Sequence, residues 1–210
     1  MGKIIIRLDQ RWELQDFAVL TKEYLQLYGI FYALSLRKSE TKESMHRSGY
    51  AAMPWEGGHS VVNFIRSVYS FIPEEKRPIV REIKYASPGF IELSVVVDVA
   101  LQIAAIVSSM SGSILAVNKA YHTVMRDYRR REWAKLKSDK LRLQNNEREI
   151  KLIIKAAKLL KDEMGIDDEQ HKALMLLAGS DELVQLKMLL AIYRRALPLA
   201  ELEESGKAKF

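Results

Sequence analysis

Nineteen consecutive residues without a charge, VALQIAAIVSSMSGSILAV at positions 99–117, constrain this chain more than any other stretch. A run of that kind must leave water. It approaches the roughly 20 apolar residues that span a bilayer. Lys119 and a basic run follow it, as at a cytoplasmic membrane edge. Gly112 with Ala116, and Ser109 with Ser113, place small residues four apart for close helix packing. The same residues also describe a helix buried in protein. Ser94, Asp98, Gln102, Ser109 and Ser113 lie near one weakly polar stripe, and Ala105 fills the gap. Asp98 is costly in lipid, and the stretch follows a turn-bounded segment with almost no linker. A buried helix is the expectation, and a membrane span is its competitor.

The charge density then rises. Residues 126–142 hold Arg126, Arg129, Arg130, Arg131, Lys135, Lys137, Lys140 and Arg142 against Asp127, Glu132 and Asp139, a net +5 in a chain of net +6. On a helix of about 100° per residue, Arg126, Arg129, Arg130, Lys137 and Lys140 share an arc of roughly 100°. A phosphate backbone fits such a face, and the interleaved Tyr128 and Trp133 are candidates for stacking on bases. No base-reading signature accompanies them. Arg131, Lys135 and Arg142 lie on another side, so a solvated helix with charges paired along its length explains the run equally.

Residues 3–8 read as a strand with Ile4, Ile6 and Leu8 on one face. Asp9 then reads as a helix cap, Phe17, Leu20, Tyr24 and Leu27 as the buried stripe, and Gly29 as the stop. The aromatic and apolar run 30–36 suits a second strand, which predicts a right-handed crossover between parallel strands. Residues 37–58 form a polar connection, and a second helix over 60–72 turns Val61, Phe64, Ile65 and Val68 inward before Pro73. Ser87-Pro88-Gly89 is the signal for a type II turn, with Gly89 at the positive backbone angle. Ile83 and Tyr85 alternate before it and Ile91, Leu93 and Val95 after it, which predicts a β-hairpin. A helix is expected from there to Met164, kinked near Ser111 and Gly112 and closed by Gly165. Asp167 and Gln170 form a capping box for the next helix, and Ser180 caps the last, which ends before Pro198.

The predicted class is α+β. A small strand-helix-strand-helix-hairpin module (1–95) precedes a long, partly coiled-coil helix (96–165), a helical hairpin (166–197) and a frayed tail (198–210). Along the long helix Leu136, Leu143, Ile150, Ala157 and Met164 recur every seven residues, with Asp139, Asn146, Ile153 and Leu160 three later. Leu136, Leu143, Asn146, Ile150, Ile153, Ala157 and Leu160 therefore form a candidate oligomer seam, in which Asn146 sets register. The alternative is a seam packed within the chain against Leu174, Leu177, Leu186 and Leu190.

The hairpin IKYASPGFIEL at 83–93, running into an apolar helix, a charged coil and a terminal helix pair, resembles uncharacterised bacterial proteins, some found in mobile-element or phage-conflict settings. The likeness covers roughly 83–197 in layout, and its one motif is Ser87-Pro88-Gly89. It implies no catalytic residue.

The chemistry-bearing residues are sparse. His46, His59, His122 and His171 stand at no metal-ligand spacing. GGHS at 57–60 lacks both a phosphate-loop lysine and a nucleophile elbow, and reads as a loop delivering a helix cap at Ser60. Glu74 with Glu75, and Asp167 with Asp168, sit where solvated or dipole-facing charge is expected. There is no cysteine, which excludes disulfides and thiolate chemistry. The segment MGKIIIRLDQRW reads as no secretory signal. No cofactor, no metal and no enzyme activity is expected, and a cytoplasmic location is. The function expected is a non-enzymatic interaction or scaffold protein that self-associates through its long helix. The first competitor is sequence-independent binding of nucleic acid, or else of an acidic protein, through 126–142. The second is a membrane-associated effector using 99–117.

Overall fold

The computed structural model describes residues 1–38, 67–133 and 147–210. β1, Gly2–Leu8, alternates as the pattern requires, with Ile6 and Leu8 buried while Lys3, Ile5 and Arg7 face out. α1 is Leu14–Lys38, so the residues expected as a second strand are helical and no parallel crossover exists among the described residues. The cause is burial on every side. Residues 27–34 are all buried, so this half of the helix shows no 3.6-residue alternation and imitates a strand. Gly29 does not stop the helix. A β-carbon there would stand 2.8 Å from Val68 Cγ1 and 3.1 Å from the Tyr69 nitrogen, so its lack of side chain lets the next segment lie against α1. Asp9 caps no helix either. Its carboxylate accepts from the Gln10 N–H at 2.8 Å and from the Ser87 hydroxyl.

The expected helix over 60–72 falls mostly outside the described residues; its end, Ser67 and Val68, is helical and leads into a 3-10 turn at Tyr69–Phe71. β2, Ile79–Lys84, and β3, Gly89–Val95, form the expected hairpin. Gly89 is not among the glycines with a positive φ, so the turn is not type II as read. Glycine is needed there for space, since a β-carbon would meet the Lys84 carbonyl oxygen at 2.4 Å. The sheet is antiparallel throughout, in the order β2-β3-β1-β4.

Among the described residues the expected long helix is broken at Ser113 and again after Arg130. α2, Val97–Gly112, meets α3, Ile114–Arg130, at 95°, which divides the uncharged stretch at Ser113. No single helix among the described residues is long and apolar enough to cross a membrane. Val99, Ile103, Ile106, Val107 and Met110 are buried in protein, and Asp98 is exposed in the first turn of α2, where the helix dipole favours an anion. α3 ends at a turn in which Glu132 takes φ +54°, and α4, Glu147–Glu163, packs back on it.

α5, Asp168–Leu177, opens with the capping box as expected: the Gln170 N–H donates to Asp167 Oδ1 at 2.7 Å and the Asp167 N–H to Gln170 Oε1 at 3.1 Å. α6, Glu182–Glu204, is capped by Asp181 rather than Ser180 and runs through Pro198. The tail is not frayed. β4, Ala208–Lys209, pairs with β1, and Lys207 holds Asp16 at 2.8 Å. One buried cluster extends from Ile6 to Ala208 across α1, α2, α4, α5 and α6, so no core boundary falls near residue 95.

Candidate anion-binding groove

α3 is two-faced by sequence. Val117, Ala120 and Val124 recur at three-four spacing and are buried, against α4 and α6. The opposite side carries His122, Arg126, Arg129 and Arg130, all exposed. Packing of the first face on the core therefore orients the second outward.

These residues border one concave surface. A groove of about 500 Å³ is lined by Tyr121, His122, Met125, Arg126, Arg129 and Arg130. Its floor is rigid. Tyr121 stacks on Tyr193 of α6 with centroids 3.9 Å apart, and the Tyr193 hydroxyl donates to Asn118 Oδ1. Burial pushes the Tyr193 hydroxyl up to about 12, so it remains a neutral donor at pH 7. His122 meets Tyr121 edge-on at 5.6 Å.

The arginines divide into two kinds. Arg126 and Arg129 have no carboxylate partner among the described residues. Arg130 pairs with Asp127 at 3.2 Å, on an exposed turn where such a pair contributes little. Arg131 belongs to the fold. Its Nη1 lies 2.5 Å from Glu149 Oε1, and its guanidinium sits 6.0 Å from the Trp133 ring centre. The Trp133 indole N–H donates to the same carboxylate at 2.9 Å. Glu149 thus clasps α4 to the end of α3. Trp133 is 1% exposed and Tyr128 meets it edge-on at 6.5 Å, so neither is presented for base stacking. Burial raises the Tyr128 hydroxyl above its ordinary value.

Three of the five expected anion contacts, Arg126, Arg129 and Arg130, therefore share one groove, while Lys137 and Lys140 lie outside the described residues. Sequence reasoning missed Tyr121 and His122 as their neighbours. The signal was present, since His122, Arg126 and Arg129 follow four-three spacing on one helix face.

The seam residues go elsewhere. Ile153, Ala157 and Leu160 are buried inside the chain where α4 meets α6 and α3, and Ile150 packs beside them. The packing is within one chain, as the sequence left open, but on α6 and α3 rather than on both helices of the terminal hairpin, and it removes those side chains from the surface. Leu136, Leu143 and Asn146 lie outside the described residues, as does the GGHS segment.

The paired carboxylates are engaged as ordinary charges. Glu74 and Glu75 are exposed, Asp167 caps α5, and Lys161 holds Asp168 at 2.5 Å and keeps its carboxyl below the usual value. Among the described residues no three His, Asp or Glu side chains gather as metal ligands do. No model of a known protein family, no curated protein and no solved structure matches the chain.

Proposed function

We propose that this is a non-enzymatic interaction protein that binds nucleic acid through its phosphate backbone, without reading sequence, along the arginine face of α3. The observation that carries this reading is that Arg126 and Arg129 stand on one groove without a carboxylate partner. An unpaired guanidinium forfeits less on meeting a phosphate than one already bonded within the protein, and it binds phosphate bidentately. Tyr121 and His122 give the same groove an aromatic border suited to a sugar or an unstacked base. The cytoplasm supplies such a polyanion. Ile153, Ala157 and Leu160 of the expected seam are covered within the chain, so they supply no motive for self-association.

The test is binding to a random-sequence duplex over a salt series. Three arginine–phosphate contacts predict a log–log slope of about −3. Arg126→Glu with Arg129→Glu is expected to weaken binding strongly and bring the slope toward −1. Arg11→Glu with Lys158→Glu, the same charge change at exposed positions away from the groove, is expected to leave most of the affinity. Equal losses in the two variants would show that net charge alone, not this groove, attracts the polyanion.

A further inference from the structure

β2 is the outermost strand of the sheet and its far edge has no partner among the described residues. All six of its residues are exposed. Val80 and Ile83 are 51% and 55% exposed although both face the helix side, where they overhang an apolar groove of about 510 Å³ between the sheet and Phe17, Leu20 and Leu25 of α1. A free edge with apolar side chains is a template for another strand.

The charges on β2 select which strand. Glu82 stands directly opposite Glu92 of β3, and Glu92 already takes Lys3 at 2.7 Å. Glu82 therefore faces a like charge across the ladder and has no cation of its own among the described residues. Lys84 lies two residues on, on the same outer face, also without a carboxylate partner. Between them is Ile83, facing the groove.

We infer that β2 pairs antiparallel with β2 of a second copy, about a two-fold axis at Ile83. In this register Ile83 opposes its own symmetry mate beside the groove, and each Glu82 opposes the other copy's Lys84. A two-fold perpendicular to a continuous sheet keeps every residue on its own face, so the centre must lie on a residue. A centre one residue earlier sets Glu82 against Glu82, and one residue later sets Lys84 against Lys84. Both juxtapose like charges. The irregularity between Val80 and Glu82 keeps the pairing short, confined to the regular stretch around Ile83. The interface is accordingly a weak one, and it is independent of the arginine groove on α3.

The experiment is sedimentation over a concentration series, with melting temperatures confirming that each surface variant is folded. The parent is expected to associate in the range of tens of micromolar. Glu82→Lys alone, and Lys84→Glu alone, turn both cross-strand pairs repulsive and are expected to weaken association about tenfold or more. An equimolar mixture of the two variants restores both pairs and is expected to associate at least as well as the parent, as a mixed dimer. A parent that is monomeric to about 100 µM would overturn the inference. So would single variants that associate like the parent, or a mixture that fails to recover.

Discussion

Arg195 on α6 reaches Glu23 on α1, with Nη1 3.1 Å from Oε2 and Glu23 itself 6% exposed. The pair joins positions 172 residues apart in the sequence and ties together two helices of the core. Glu23 also takes Lys22 at 3.3 Å, but removing Glu23 leaves the partly buried Arg195 without a carboxylate. Glu23→Ala is expected to lower stability by about 3 kcal/mol, read as a lower urea midpoint at an unchanged slope. Replacing both, with Glu23→Leu and Arg195→Met, should recover to within about 1 kcal/mol of the parent, because the desolvation cost vanishes with the charges. A double variant no better than the single one would mean that the pair's hydrogen bonds matter more than its charges.

Asp16 ties the chain's two ends and carries a defined pH dependence. Its Oδ2 accepts from Lys207 Nζ at 2.8 Å and from the Glu13 N–H at 2.9 Å. These bonds, that from Lys207 first, hold its carboxyl below the ordinary 3.8. A depressed carboxyl contributes stability that is present above the unfolded pKa and lost as pH falls through the folded value. Asp16→Asn should therefore cost about 1 kcal/mol at pH 7, and its difference from the parent should shrink below about pH 4. Thermal unfolding of both proteins from pH 7 to pH 3 measures this, and a constant difference would contradict it.

Gly89 is required by contact rather than by backbone angle. A β-carbon would stand 2.4 Å from the Lys84 carbonyl oxygen and 2.7 Å from that of Ala86, both backbone atoms of the hairpin that cannot swing aside. Gly89→Ala should destabilise by roughly 1–3 kcal/mol, the usual cost of overpacking. Ala and Val should cost alike at this first carbon, with Val adding to it. A melting temperature unchanged by Gly89→Ala would mean that the hairpin relaxes freely.

Ile153 is core, and its substitution tests folding rather than assembly. It is 1% exposed on α4. Ile153→Asp places an unpaired carboxylate among aliphatic side chains and removes about 1.5–3 kcal/mol of burial besides. The expected outcome is loss of the cooperative unfolding transition at pH 7. A variant that stays folded while its oligomeric state changes would return Ile153 to a surface between copies.

Much of the candidate groove was legible. Arg126, Arg129 and Arg130 share a helix face by spacing alone, and the structure places all three on one concave surface. Spacing sets Arg131 on another side of the helix, while Trp133 stands with the arginine face only by adjacency in sequence. Their place in the fold depends on Glu149, which lies beyond a stretch whose path the spacing does not reveal.

Local chemistry was enough for the alternation of β1, the capping box of Asp167 and Gln170, the turn at Gly165 and the hairpin around Ser87-Pro88-Gly89. Each depends on residues near in sequence, so sequence alone places it, although the type of the hairpin turn is set by the close approach of Gly89 to Lys84 and Ala86. Tertiary structure decided the rest. Residues 27–34 are helix because α2, α5 and α6 enclose them, and burial on all sides erases the period that would have named them. The uncharged stretch turns 95° at Ser113, its first half packing on α1 and α6 and its second on α4 and α6, which its composition does not record. The apolar seam of Ile153, Ala157 and Leu160 demanded a cover, and its pattern is the same whether that cover is another copy or this chain's own α6.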